Sequence, residues 1–150
     1  MTIIRLAALP ILACALAACE SEAEQQADAT EDRIEQQAAA SAAAAGDALV
    51  ALGLTERQLL EADLVTADGA DLGDVEQVRR GADGAVEGLL VEIEDSDPDR
   101  YVVVPLAGLT TRLRGGDTDL QTTMIAQDLA ALPDASLDAG AAEPAATPAP

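Results

Sequence analysis

Hydrophobic and polar residues alternate in short runs through the middle of the chain. Leu89, Val91 and Ile93 occupy every second position, as expected for a strand with one buried face. Asp-Gly pairs at 68–69 and 83–84 separate such runs, and this pair favours tight hairpin turns. Short strands divided by turn signals every roughly 8–12 residues are typical of a small β-barrel.

Two of the predicted strands depart from simple alternation. Leu72 and Val75 are three positions apart, which predicts a bulge at Gly73. The run RYVVVPL at 100–106 is apolar on both faces, so we expect a central strand that ends at Pro105.

Short helices are expected on either side of the strands. Thr55 and Gln58 have the spacing of a capping box, and Leu54 and Leu59 form the matching hydrophobic staple, so a helix is predicted at 56–61. A second helix is expected within IAQDLAALP at 125–133. The predicted fold is therefore mainly β, a small antiparallel β-barrel with short flanking helices.

The barrel is predicted to occupy residues 48–133 as one domain. Residues 19–47 are rich in Glu, Gln and Ala and contain one large aliphatic side chain, Ile34, without a heptad repeat. They are expected to form an acidic, partly helical spacer. Residues 134–150 are Ala- and Pro-rich without periodicity and are expected to be a disordered tail.

The first 18 residues have the pattern of an export signal. Arg5 is the only charged residue before Cys19, and a nearly continuous apolar run from Leu6 to Ala18 follows it. That length fits the roughly 7–15 residues of a signal h-region, whereas a membrane-spanning helix needs about 20 apolar residues. The acids that begin at Glu20 end the run.

The sequence LAAC at 16–19 resembles the lipobox of bacterial lipoproteins. The resemblance implies that the signal peptide 1–18 is removed and that the Cys19 thiol carries the lipid that anchors the chain in a membrane, facing the periplasm. Glu20 stands where Asp would favour retention in the inner membrane, which favours the outer membrane. The alternative is an ordinary secretory signal cut at an A-x-A-like site.

Charge and residue types narrow the function. After Cys19 the chain has 28 acids and seven arginines, a net charge of −21, which opposes nucleic acid and favours basic partners or cations. Loss of Cys14 and lipidation of Cys19 would leave no thiol for a disulfide. Four arginines are expected to point outward and keep sheet edges soluble, with ion pairs to a partner's acids as the alternative: Arg79, Arg80, Arg112 and Arg114.

The residue types argue against an enzyme. The sequence has no His or Lys, and its cysteines lie only at 14 and 19, so a nucleophile with its base cannot be assembled. Carboxylates alone remain for acid–base work. We therefore expect no catalytic residues and no cofactor.

The acidic turn at 95–99 is the candidate cation site. Asp95, Asp97 and Asp99 place oxygens at alternate positions, as at the start of a calcium loop. Arg100 stands where that loop's tight turn needs Gly, and Leu106 stands where its bidentate Glu belongs. We expect a solvated hairpin turn without a resident metal, and the alternative is low-affinity binding of a divalent cation such as Ca²⁺.

The order and spacing of four segments resembles the PRC-barrel domain: VTADGADLGDVEQV, DGAVEGLLVEI, YVVVPLAGLT and LAALP. The resemblance covers roughly residues 55–133. It implies a small, mostly antiparallel barrel of about six strands that serves protein contacts and carries no catalytic motif. The sequence thus predicts a lipid-anchored cell-envelope protein whose barrel is a protein-binding or structural module. Its partner is expected to be an envelope protein with a basic face, and its oligomeric state stays open.

Overall fold

A computed structural model describes residues 22–137. The helices are α1 (Glu22–Ala45), α2 (Glu56–Leu60) and α3 (Ala126–Ala130). The strands are β1 (Leu49–Ala51), β2 (Leu54–Thr55), β3 (Asp63–Val65), β4 (Asp71–Arg80), β5 (Val86–Ile93), β6 (Tyr101–Pro105), β7 (Thr110–Arg114) and β8 (Asp117–Gln121). The fold is mainly β, as predicted.

The main sheet is mixed rather than antiparallel throughout. Its strand order is β6-β5-β4-β3-β8-β7, and β1 pairs with β2 apart from it. Neighbouring strands are antiparallel except β3 and β8, which run parallel. β6 and β7 run in the same direction, because the connection between them does not form a hairpin. β8 reverses the direction of β7 and therefore runs parallel to β3.

The sheet is curled, but no closed barrel forms among the described strands. One edge strand, β6, ends at Pro105, and the other, β7, begins at Thr110. The five residue steps between these two positions reach at most about 18 Å. Six flat strands would hold their edges about 24 Å apart, so the sheet must curve. β6 and β7 nevertheless do not pair, which corrects the predicted antiparallel barrel.

The concave side of the sheet holds the main core. Leu89, Val91, Val102 and Val104 of β5 and β6 are buried there with Leu120 of β8. The predicted alternation of Leu89 and Val91 is thus confirmed, while Ile93 is partly buried against the same core.

β6 lies at an edge of the sheet, so the central position predicted for the apolar run 100–106 is wrong. Val102 faces the core and Tyr101 packs on the opposite face. The edge is covered in part by the chain end, because the Ala135 N–H donates to the Tyr101 carbonyl at 2.7 Å. Residues 134–137 are therefore placed against β6, whereas the rest of the tail lies outside the described residues.

The bulge predicted at Gly73 is confirmed. Leu64 pairs with Gly73 but Val65 pairs with Asp71, so β4 contains one extra residue. Gly73 has φ +150°, and a Cβ there would collide with the Glu92 carbonyl oxygen. Only glycine allows β5 to approach this closely.

The predicted caps and hairpin turns are also confirmed. The Gln58 N–H donates to Thr55 Oγ1 at 3.3 Å and the Thr55 N–H donates to Gln58 Oε1 at 3.0 Å, which completes the capping box. Leu54 and Leu59 are both buried as the staple requires. Gly84 donates its N–H to the Gly81 carbonyl at 2.9 Å and closes the turn between β4 and β5.

α1 packs on the convex side of the sheet, which the sequence did not indicate. Ile34 is 2% exposed and forms a second cluster with Leu90 and Tyr101. Ala38 and Ala42 are buried along the same side of the helix. Part of the segment predicted to be a partly helical spacer therefore packs against the strands.

Candidate interaction surface

An acidic groove of about 380 Å³ lies between α1, α2 and the sheet. Five carboxylates line it, one each from α1, the residue after α2 and β3, and two from β4: Glu35, Glu61, Asp63, Asp74 and Glu76. We call this set the acidic groove. Five apolar residues complete its lining: Ala38, Ala39, Leu60, Ala62 and Val75. The site therefore combines carboxylates with a short apolar surface.

Glu76 reaches the groove because β4 is bulged a second time. Val75 pairs with Val91 and Gln77 pairs with Leu90, so Glu76 has no partner residue on β5. The extra residue lets Val75 and Val78 both face the core although they are three positions apart. The signal for this bulge was present in the sequence, since the spacing of Val75 and Val78 repeats that of Leu72 and Val75.

Glu76 is half-buried among other acids, and its pKa is raised to about 7. Burial is the largest cause, because it disfavours the charged form. The carboxylates of Glu92, Asp74, Glu35 and Glu31 add to the shift in that order. Glu76 is therefore the residue of the groove whose charge changes near neutral pH.

Neighbouring groups are perturbed in the same direction. Burial, followed by the charges of Asp71, Asp74 and Asp119, raises the pKa of Asp63. Burial and the charge of Asp99 raise the pKa of Glu92, although a hydrogen bond from Tyr101 opposes the shift. The crowding of acids thus extends from the groove along the convex side of the sheet.

Arginines of the domain pair with acids of the same chain. Arg80 donates to Glu56 at 2.6 Å, and the Glu56 side chain is fully buried. Arg100 binds Asp134 at 2.6 Å. Arg114 contacts Asp63 at 3.4 Å and Asp119 Oδ2 at 2.9 Å, the second an ion pair without hydrogen-bond geometry.

The prediction that four strand arginines point outward and keep the sheet edges soluble holds only in part. Arg79 and Arg80 belong to β4, an interior strand, so they do not protect an edge. Arg79 is half-buried and donates to the Ser136 carbonyl at 2.8 Å. Arg112 and Arg114 lie on β7, which is an edge strand as expected.

The acidic turn forms a compact loop with its carboxylates outward. Ser96 Oγ donates to the Ile93 carbonyl at 2.8 Å and accepts from the Arg100 N–H at 2.9 Å. Asp95, Asp97 and Asp99 are all exposed. Within residues 22–137 no group of three or more acidic side chains is arranged to hold a metal ion, either in this turn or elsewhere.

Among the described residues, a neighbouring segment of the chain covers one edge strand of the sheet, β6, but not the other, β7. Val102 of β6 forms a bridge with Asp134, whereas β7 pairs only with β8 among the described strands. Leu113 of β7 is 80% exposed, whereas Leu109, which directly precedes β7, is buried in the main core.

Cys19, the predicted lipid attachment site, lies outside the described residues. Within the described part of the chain no helix is both long and apolar enough to cross a membrane. Comparisons with protein-family models and with curated proteins find no match for the chain. The resemblance to the PRC-barrel domain therefore stays a prediction.

Proposed function

We propose that this chain is a lipoprotein anchored through Cys19 in the cell envelope and that its β domain binds a basic segment of another envelope protein. The observation that carries the binding proposal is the acidic groove. Its carboxylates lie beside an apolar lining, while Arg80, Arg100 and Arg114 are engaged within the chain. Since none of the residues that line the groove is an arginine, the charge that the groove offers to a partner is negative.

A lysine or arginine side chain has the chemistry that fits the acidic groove. Its aliphatic stem can lie along apolar surface while its charged end meets carboxylates. Ala38, Ala39 and Val75 supply such surface, and Asp74 and Glu76 supply the carboxylates. A cation near Glu76 would also relieve the crowding that raises the pKa of this carboxyl.

Electrostatic attraction mainly speeds association, and close contact sets the lifetime of a complex. Exposed charges are screened beyond about 8 Å at physiological ionic strength. We therefore expect salt to lower the association rate more than it raises the dissociation rate.

The test is a pull-down from solubilised envelopes with two charge-matched baits. The groove variant carries Glu35→Gln and Asp74→Asn, and the control carries Glu87→Gln and Asp83→Asn, which are exposed residues away from the groove. The wild type and the control should capture the same protein, and the groove variant should lose it. If both variants lose it equally, net charge explains binding and the groove has no specific role.

The anchor is tested separately. Cys19→Ala should stop acylation and leave the unprocessed precursor. A mature wild-type chain with an unmodified amino terminus that washes from membranes without detergent would contradict the lipoprotein proposal. The order of strands and turns over 55–133 supports membership of the PRC-barrel family, and the open, mixed sheet would then be a variant of that barrel.

A further inference from the structure

The contact between α1 and the sheet has a small apolar area. Ile34 is the one large aliphatic side chain of α1, and it packs on Leu90 and Tyr101. Ala38 and Ala42 contribute only methyl groups. Across this interface Gln77 Nε2 donates a hydrogen bond to Gln37 Oε1 at 3.3 Å. Since burial stabilises in proportion to apolar area, α1 is held less firmly than the strands.

Acidic side chains lie on both sides of the contact between α1 and the sheet. Glu31 and Glu35 of α1 act on Glu76, which lies on β4. The titratable groups around Glu76 come from every neighbouring element: Glu31 and Glu35 of α1, Glu61 beside α2, Asp63 of β3, Asp74 of β4, Glu92 of β5 and Tyr101 of β6. The charges that shift its pKa most are all negative, so an ionised Glu76 repels the docked helix.

We propose that α1 is a latch that closes on the sheet when the Glu76 carboxyl is protonated and opens when that carboxyl ionises. Opening moves Glu31 and Glu35 away from Glu76 and returns water to its carboxylate. The latch needs neither a partner nor the lipid, but α1 forms one wall of the acidic groove, so opening would remove the site proposed for the partner.

The direction of the pH dependence follows from the shift of this carboxyl. With α1 docked, the pKa of Glu76 stands at about 7, against a usual value of 4.5. The part of this shift that α1 causes, through burial and the charges of Glu35 and Glu31, is lost on opening. The closed state therefore holds the proton more tightly, so closing is favoured at low pH and weakens as the pH rises towards 7. Each unit of pKa difference between closed and open states changes the closing constant about tenfold.

Opening changes the reach of the chain. A helix of 24 residues is about 36 Å long at 1.5 Å per residue. If Cys19 is anchored as proposed, the closed latch keeps the sheet beside α1, and the open latch lets α1 act as an arm between membrane and sheet.

The test is hydrogen–deuterium exchange of the full chain in detergent, at about pH 5.5 and pH 8, with rates corrected for intrinsic amide exchange. The protection of α1 peptides should fall at the higher pH, by at most about tenfold for each unit by which the pKa of Glu76 differs between the closed and open states. Peptides of β4 and β5 should not change. Glu76→Gln should keep α1 protected at both pH values, and the exposed control Glu87→Gln should behave as the wild type.

A second variant keeps the test decisive. Ile34→Ala should open the latch at both pH values while β5 stays protected. The proposal is overturned if wild-type α1 protection is equal at both pH values, or if Glu76→Gln shows the wild-type pH dependence. It is also overturned if β5 loses protection together with α1, because the helix would then be part of one cooperative unit.

Discussion

Ile34 on α1 packs against Leu90 on β5, and both side chains are buried, at 2% and 0% exposure. Leu89, the neighbour of Leu90, faces the other side of the sheet and belongs to the main core. This strand is therefore buried on both faces, although alternation in the sequence indicated one buried face only.

Truncation of the two leucines should distinguish the two sides of the sheet. Leu89→Ala should lower the free energy of unfolding by about 2–4 kcal/mol, as for other buried leucines. Leu90→Ala should be costly as well and should additionally loosen α1. Urea denaturation followed by circular dichroism measures both, with the exposed Glu87→Ala as a control that costs little. A Leu89→Ala cost no larger than that of Glu87→Ala would contradict the strand phase.

Gly73→Ala should destabilise the sheet through steric contact. The new Cβ would collide with the Glu92 carbonyl, and the residue has φ +150°. We expect a loss of about 1–3 kcal/mol, the usual cost of a strained backbone position. Gly84→Ala is the matched control, because Gly84 has φ +81° but no atom near the added Cβ. Equal losses in thermal or urea unfolding would show that the close approach of β5 contributes nothing.

Arg80 should matter because it neutralises a buried carboxylate. Glu56 is 0% exposed, its Oε2 binds Arg80, and its Oε1 has no hydrogen-bond partner. Removing one member of a buried pair costs about 3–5 kcal/mol, whereas apolar replacement of both is often neutral. Since Arg80 is partly exposed, we expect the lower end of that range for Arg80→Met. The double variant Glu56→Leu/Arg80→Met should recover most of the loss in urea denaturation. No recovery would mean that Arg80 acts through packing alone.

Calcium should bind the acidic turn no more tightly than about 1 mM, the range of weak extracellular sites. Asp95, Asp97 and Asp99 are exposed, and the turn is closed by Ser96 rather than organised around a cation. Isothermal titration calorimetry of the wild type and Asp97→Asn measures the affinity. A micromolar site that disappears in Asp97→Asn would establish the alternative function as a cation-binding protein.

Features set by neighbouring residues could be predicted from the sequence. The capping box needs only Thr55 and Gln58, and the turns need only Asp-Gly pairs, so these local signals hold in the structure. The bulge at Gly73 could likewise be predicted, because Leu72 and Val75 are three positions apart in the sequence.

Features that depend on distant partners could not be predicted. The apolar run at 101–105 did not distinguish a central strand from an edge strand, because α1 and residues 134–137 cover the edge. The docking of α1 depends on Ile34, a single residue in a polar and Ala-rich helix. Glu76 lines the groove only because a β-bulge leaves it without a partner residue on β5.

The parallel pairing of Leu64 with Leu120 has a consequence for the order of folding. It joins the first and last strands of the main sheet, so β3 gains this neighbour only after almost the whole domain has been made. Contacts between residues far apart in sequence form late, because a long loop must close first. The hairpins of β3 to β6 can assemble earlier, and until β8 arrives β3 is an unpaired edge open to intermolecular pairing. A chain that ends before Asp117 would keep that edge permanently and should aggregate.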